Sequence, residues 1–175
     1  MTYYGPKELA ESFRTVRKNT IQVAEDIPED KYSYRAAPDT MSVAEMLAHL
    51  AVIPHWAQQC FFVEKKTNVG MDDFGRWMGE LNGQAKSLTS KAQIVDALKK
   101  NGEAFAAQLE SMNEAQLGQA ITAPNATKSA FEMLLGIKEH EMHHRAQLFL
   151  MERMVGIVPH LTRARMERQA QMART

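Results

Sequence analysis

Residues 127 to 156 read Thr-Lys-Ser-Ala-Phe-Glu-Met-Leu-Leu-Gly-Ile-Lys-Glu-His-Glu-Met-His-His-Arg-Ala-Gln-Leu-Phe-Leu-Met-Glu-Arg-Met-Val-Gly. Met133, Ile137, Leu148, Met151 and Val155 recur at helical spacing. This predicts one long helix from near Thr127 to Gly156, a glycine suited to the position after the last turn, with Pro159 just beyond. At about 100° per residue, His140 and His144 lie about 40° apart on one face. That face is the apolar stripe, so both rings sit where the helix must pack inward. Burying two protonatable rings together is costly, because like charges repel and desolvation disfavours imidazolium. A divalent ion removes the cost by taking both as neutral ligands. His143 lies about 60° to the other side of His140 and is an alternative i,i+3 partner, although the centre of the stripe favours His144.

Working outward, three more helices follow from the same periodicity. The first runs from about Pro6 to about Asp26, with Leu9, Phe13, Val16, Thr20, Val23 and Ala24 on one stripe. The second starts after Thr40 as its cap and carries Val43, Met46, Leu47, Leu50 and Ile53 to about Lys65, with Pro54 predicted to kink it or end it. The third spans about 91 to 112 behind a capping box, Ser90-Lys91-Ala92-Gln93. Between them, Ile27 to Thr40 and Asn113 to about Asn125 read as connections. The long stretch Thr67 to Thr89 reads as a functional connection or one holding a short helix of its own. No period-two runs of Val, Ile or Thr occur, so the fold class is all-α: a four-helix bundle over residues 1 to 158. Residues 159 to 175 form a basic C-terminal extension, with Arg163, Arg165, Arg168 and Arg174 against Glu167 alone. It reads as a solvated helical tail or, in the sharper version, a partner-binding one.

A third ligand must come from another helix, and His49 is the best placed, among Val43, Met46, Leu50 and Ile53. His55 falls on the opposite side of that helix and His160 after the terminating glycine, so both read as exposed. Three neutral histidines leave an ion's charge unneutralised and a coordination position open, the pattern of a catalytic rather than a structural site. Such an ion can lower the pKa of bound water, hold a thiolate or polarise a carbonyl. Each ligand also needs an acceptor for its second ring nitrogen, for which Glu45 and Gln147 are the local candidates. Glu141-x-x-His144 formally matches the Glu-x-x-His element of di-iron bundles. That site needs a second copy and further inward glutamates, and Glu141 points about 100° from His140, off the stripe. Cys60, followed by Phe61 and Phe62, reads as a buried thiol rather than a nucleophile. Phe74 and Trp77 are candidates for lining a pocket or for a bundle or dimer contact.

The composition bounds the rest. The 175 residues are 45% hydrophobic, and 21 Lys+Arg balance 21 Asp+Glu. That suits one globular domain and leaves no electrostatic footprint for nucleic acid or an anionic membrane. One cysteine excludes a disulfide scaffold and makes a reducing cytoplasm the expected setting. No secretory pattern follows Met1. Met46 to Val63, free of Asp, Glu, Lys and Arg, is long enough to be weighed as a membrane span. Its His49, Pro54, His55, Gln58 and Gln59 make it a soluble core helix instead.

His140-Glu141-Met142-His143-His144-Arg145-Ala146-Gln147 resembles the His-x3-His-Arg-x-Gln signature on the last helix of DinB-like metalloenzymes. Thr40 to Leu50, with His49, resembles that family's second-helix motif, and the two stand in order about 90 residues apart. The likeness covers about residues 6 to 158. It implies an up-up-down-down bundle, often homodimeric, with a divalent metal on His49, His140 and His144. It also implies thiol-dependent chemistry, since characterised relatives join low-molecular-weight thiols to electrophiles or isomerise with a thiol. Ala146, where relatives often have Gly, departs from the pattern without touching the site. The expected function is therefore activation, by a divalent ion, of a thiol or water toward a small electrophilic substrate, as in a thiol S-transferase. Zinc or nickel is the expected ion, with iron or manganese as further possibilities, and a thiol the cosubstrate. The alternatives are a non-catalytic, stress-related dimeric metal-binding bundle and a metal-dependent hydrolase without a thiol.

Overall fold

The computed structural model describes residues 4–174. Met1, where the expectation of no secretory signal begins, and Thr175, which ends the predicted extension, lie outside that range. Helix α1 spans Pro6–Asp26 with Pro6 in its first turn, and all six residues of the predicted stripe are buried. A 3₁₀ turn, Glu29–Lys31, follows. Helix α2, Val43–Val52, starts later than expected. Thr40 turns its hydroxyl back onto the Ala37 carbonyl at 2.8 Å, so it cannot serve as the cap. Ser42 takes that role: its Oγ accepts from Glu45 N at 3.2 Å while the Glu45 carboxylate accepts from Ser42 N at 2.8 Å.

Pro54 interrupts the second helix rather than bending it. The chain restarts as α3, Pro54–Ala57, and continues as a π-helical segment, Gln58–Val63, so the helical stretch stops short of Lys65. Where a short helix was expected, α4 runs for 17 residues, Met71–Ser87. Helix α5, Lys91–Glu110, begins at the predicted capping box and buries Ile94, Leu98, Phe105 and Leu109.

The next connection holds a five-residue helix, α6 (Glu114–Gly118), and a hairpin of β1 (Ala120–Ala123) and β2 (Ala126–Ser129). The hairpin escaped the periodicity reading because each strand has four residues and only Ile121 is buried. Thr127 and Lys128 belong to β2, so α7, Ala130–Met154, starts at Ser129, whose Oγ accepts from Glu132 N at 3.2 Å. Gly156 takes φ +85° after α7, as expected of a helix-ending glycine, and α8 follows as His160–Met172.

The four long helices α1, α2, α5 and α7 form the bundle, in which α1 and α2 each pack against both α5 and α7. Their directions follow from named pairs. Arg14 of α1 meets Glu103 and Glu110 of α5, while Lys91 donates to Glu25 O, so α1 and α5 are antiparallel. Ser12 meets Lys138 and Val16 meets Arg145, so α7 runs parallel to α1. Ala51 pairs with Asn101 and Gln58 with Gln108, which makes α2 parallel to α5.

The chain order is thus up-down-down-up, and it replaces the up-up-down-down order implied by the resemblance. The reason lies in the connections. Tyr32 donates its hydroxyl to Ala24 O at 2.7 Å and its carbonyl accepts from Ala44 N, so α2 begins at the end where α1 stopped. Helix α4 then carries the chain back along the bundle, so that α5 repeats the direction of α2. Among the described residues no helix is long and apolar enough to cross a membrane.

Candidate metal centre

His49 on α2 and His140 on α7 face each other with their Nε2 atoms 2.7 Å apart. His144, one turn along α7, completes the group, its ring centroid 4.5 Å from that of His140 and 5.3 Å from that of His49. One ring nitrogen from each residue lies within 4.8 Å of the other two. The structure therefore brings together the three histidines that the sequence singled out. It leaves His143 exposed, with its ring toward Gln147.

The protonation of the group follows from its surroundings. Burial, and then the neighbouring His140 and His144 rings, push the His49 pKa down to about 4. Burial, followed by His144 and His143, also lowers that of His140. Both rings are neutral near pH 7 and offer lone pairs. Gln147 Oε1 lies 2.8 Å from His144 Nδ1. A carbonyl oxygen can only accept, so Nδ1 of His144 is the donor in this contact and Nε2 is the nitrogen turned to the site. Gln147 thus acts as the acceptor foreseen for it, whereas Glu45 does not. The Glu45 carboxylate caps α2 and pairs with Arg35 at 2.6 Å, which holds its pKa below the usual range. Among the described residues no carboxylate hydrogen-bonds to the three rings.

Beneath the histidines lies a feature that the sequence reading missed. Glu141 is fully buried, not off the stripe, and its Oε2 sits 2.9 Å from Arg17 Nη2. The fully buried face of α7 runs Leu134, Ile137, Glu141, Leu148 and Glu152, so the two histidines flank it rather than centre it. Arg17 also donates to Leu50 O at 2.8 Å and Leu98 O at 3.2 Å. Pro54 has no N–H to offer the carbonyl four residues back, which is that of Leu50. Arg17 supplies the missing donor, next to His49, and its carboxylate partner stands next to His140. A signal was present in Pro54 itself: an interrupted helix leaves a carbonyl that some donor must satisfy.

Neither outlying histidine is exposed. His55 Nε2 is 2.8 Å from Glu80 Oε2, and His160 Nε2 is 3.1 Å from Asn19 Oδ1; both residues are half-buried. Trp77 is buried and donates its indole N–H to Glu64 at 2.9 Å, so of the two proposed pocket aromatics only Phe74 faces a cavity. Cys60 is buried, and burial followed by the charge of Glu64 raises its thiol pKa to about 11, which suits a structural thiol. Two clefts flank the histidines: one of about 510 Å³ against His140 and one of about 370 Å³ against His144 and Gln147.

A sequence model of the DinB family matches residues 1–174. The uncharacterized protein YjoA of Bacillus subtilis is 29% identical over 154 residues, which cover 85% of this chain and 90% of YjoA. The crystal structure of that DinB-like YjoA superposes with a TM-score of 0.66 at 26% identity, over 85% of this chain and 92% of that one. YfiT from Bacillus subtilis, described as "a probable metal-dependent hydrolase with an unusual four-helix bundle topology", superposes with a TM-score of 0.67 at 14% identity. That match covers 90% of this chain and 91% of YfiT, and at such identity it speaks to the fold alone.

Proposed function

The chain belongs to the DinB family, and from that premise we propose that it is a metal-dependent enzyme whose divalent ion is held by His49, His140 and His144. The site would activate a thiol or water toward a small electrophilic substrate. The observation that carries this reading is the convergence of three ring nitrogens within 4.8 Å, with burial keeping His49 and His140 unprotonated. Facing lone pairs 2.7 Å apart repel unless a proton or a cation lies between them, and a third imidazole beside them fits a cation. All-nitrogen donors suit zinc or nickel first, with iron and manganese to be tested alongside.

When bound, the ion supplies Lewis-acid assistance that lowers the pKa of a thiol or water. The chain's own groups do the rest. Gln147 fixes the His144 tautomer, Arg17 and Glu141 hold the two ligand-bearing helices in register, and the flanking clefts give a substrate access to the rings. The thiol S-transferase reading, with a low-molecular-weight thiol as cosubstrate, draws on the family resemblance. The description of YfiT as a metal-dependent hydrolase supports a second reading in which water replaces the thiol. A homodimer is part of the same proposal: Leu150, Met154 and Val158 expose apolar surface that a second copy would cover.

The test is metal analysis of untagged protein after reconstitution with zinc, nickel, iron and manganese. We expect about one ion per chain, lost in His49→Ala and in His140→Ala. Wild-type protein that takes up no stoichiometric metal overturns the proposal. Stripping the ion then separates enzyme from scaffold: helices that survive removal fit a catalytic site, and an unfolded chain fits the non-catalytic bundle. Assays with thiol-plus-electrophile mixtures, against ester and amide hydrolysis without thiol, distinguish the two chemistries.

A further inference from the structure

The cleft of about 510 Å³ beside His140 lies in the range of small-molecule sites. Its walls come from four places: Ile53 and Trp56 where the second helix breaks, Met71 and Phe74 from the first turn of α4, the hairpin turn from Ala123 to Ala126, and Met133 from α7. Met71 and Phe74 leave 70% and 36% of their surfaces exposed at its mouth, and apolar side chains gathered around a concavity mark a binding site. The Trp56 and Phe74 rings stand 5.7 Å apart.

One turn before His140, on the same face, lies Gly136, which also lines the cleft. A glycine in the middle of a helix weakens it, and a Cβ at this position would meet no atom within 4 Å. Packing therefore does not require glycine here. What its lack of a side chain provides is room on the cleft floor next to His140. The charges at the rim, Lys128 and Glu132, are of opposite sign, and Glu132 is engaged by Ser129 N at 2.8 Å. Lys128 is exposed, and no hydrogen bond or ion pair engages its side chain among the described residues.

We propose that this cleft binds the substrate, and that the substrate is a small molecule whose aromatic or compact alkyl group lies over Gly136, between Trp56 and Met133, with its polar reactive group turned to His140. The inference rests on the three-histidine reading for what happens at the reactive end. Binding of the apolar group needs only the cleft.

The experiment titrates naphthalene-2-carboxamide into the full-length protein as purified, with metal content measured in parallel. Amide and indole chemical shifts are followed in wild type, Gly136→Leu and Leu150→Phe, the last of which narrows the opposite cleft. Shifts should concentrate at Trp56, Gly136 and His140. Gly136→Leu should weaken binding about tenfold or more and Leu150→Phe by less than about twofold. Metal uptake and thermal midpoint of Gly136→Leu should stay at or above those of wild type. Undisturbed signals at Trp56 and Gly136, or equal affinity in Gly136→Leu, overturn the proposal. A protein that binds the probe but takes up no metal refutes the proposed function and leaves the cleft standing; the reverse result refutes the cleft alone.

Discussion

Arg17 Nη2 stands 2.9 Å from Glu141 Oε2 in the middle of the bundle, with the two side chains 4% and 0% exposed. The guanidinium also holds the Leu50 and Leu98 carbonyls, so one side chain from α1 ties together α2, α5 and α7. Gly102 makes room for it, since a Cβ there would come within 2.7 Å of Arg17 Cγ. Removing one partner strands the other charge in a dry interior. Glu141→Leu should therefore cost about 3 to 5 kcal/mol, and Arg17→Met with Glu141→Leu together clearly less than the two single changes summed. Urea unfolding of the four proteins checks this; strict additivity would show that the pair does not act as a unit.

Gln147 is hydrogen-bonded to His144, and His143 is exposed beside it. Loss of the group that orients a ligand typically lowers metal affinity about tenfold or more, so Gln147→Leu should weaken zinc binding by that factor. His143→Ala should change it much less. Competition against a chromophoric chelator measures both. If His143→Ala proved the more damaging, His143 and not His144 would be the ligand on that turn.

Glu152 is fully buried, and neither carboxylate oxygen has a hydrogen-bond partner among the described residues. Burial, reinforced by the charge of Asp26, raises its pKa from 4.5 to about 7. Between those values the folded state retains a proton that the unfolded chain has released. The associated stability is complete below about pH 4.5 and lost as pH rises through about 7. Glu152→Gln should thus stabilise the protein at pH 8, by about 3 kcal/mol at most, with the difference shrinking toward pH 4.5. Thermal unfolding of both proteins across that range provides the measurement, and a pH-independent gap would contradict it.

Cys60 is the protein's single cysteine, and its thiol pKa is raised to about 11. The reactive species is the thiolate, and little of it forms at pH 8. Iodoacetamide should label native protein at least about 100-fold more slowly than urea-unfolded protein. Mass spectrometry over time resolves the two rates, and comparable labelling would mean that the thiol is accessible.

Local signals carried much of the fold. The helices that begin at Pro6 and Ser90 follow from proline placement and a capping box, and the glycine stop at Gly156 from the backbone freedom that a positive φ requires. Where caps compete, the reading shifts. Thr40 is the cap expected for α2, but its hydroxyl turns back onto Ala37 and Ser42 caps the helix instead. The hairpin between α6 and α7 was not legible, because strands of four residues hold too few positions for alternation to register.

For the site, spacing alone placed His140 and His144 on one face and made His49 the candidate from another helix. The placement of Glu141 went astray for a physical reason. A carboxylate is assigned to solvent unless a partner is known, and here the partner, Arg17, is 124 residues away in sequence. The sequence by itself determined the four bundle helices, most of their limits and which three histidines would meet, since these depend on groups within one or two turns of each other. Only the tertiary structure decided the up-down-down-up order, the burial of Glu141 and Glu152, and the clefts on either side of the rings. Those depend on side chains that become neighbours once the connections have set the direction of each helix.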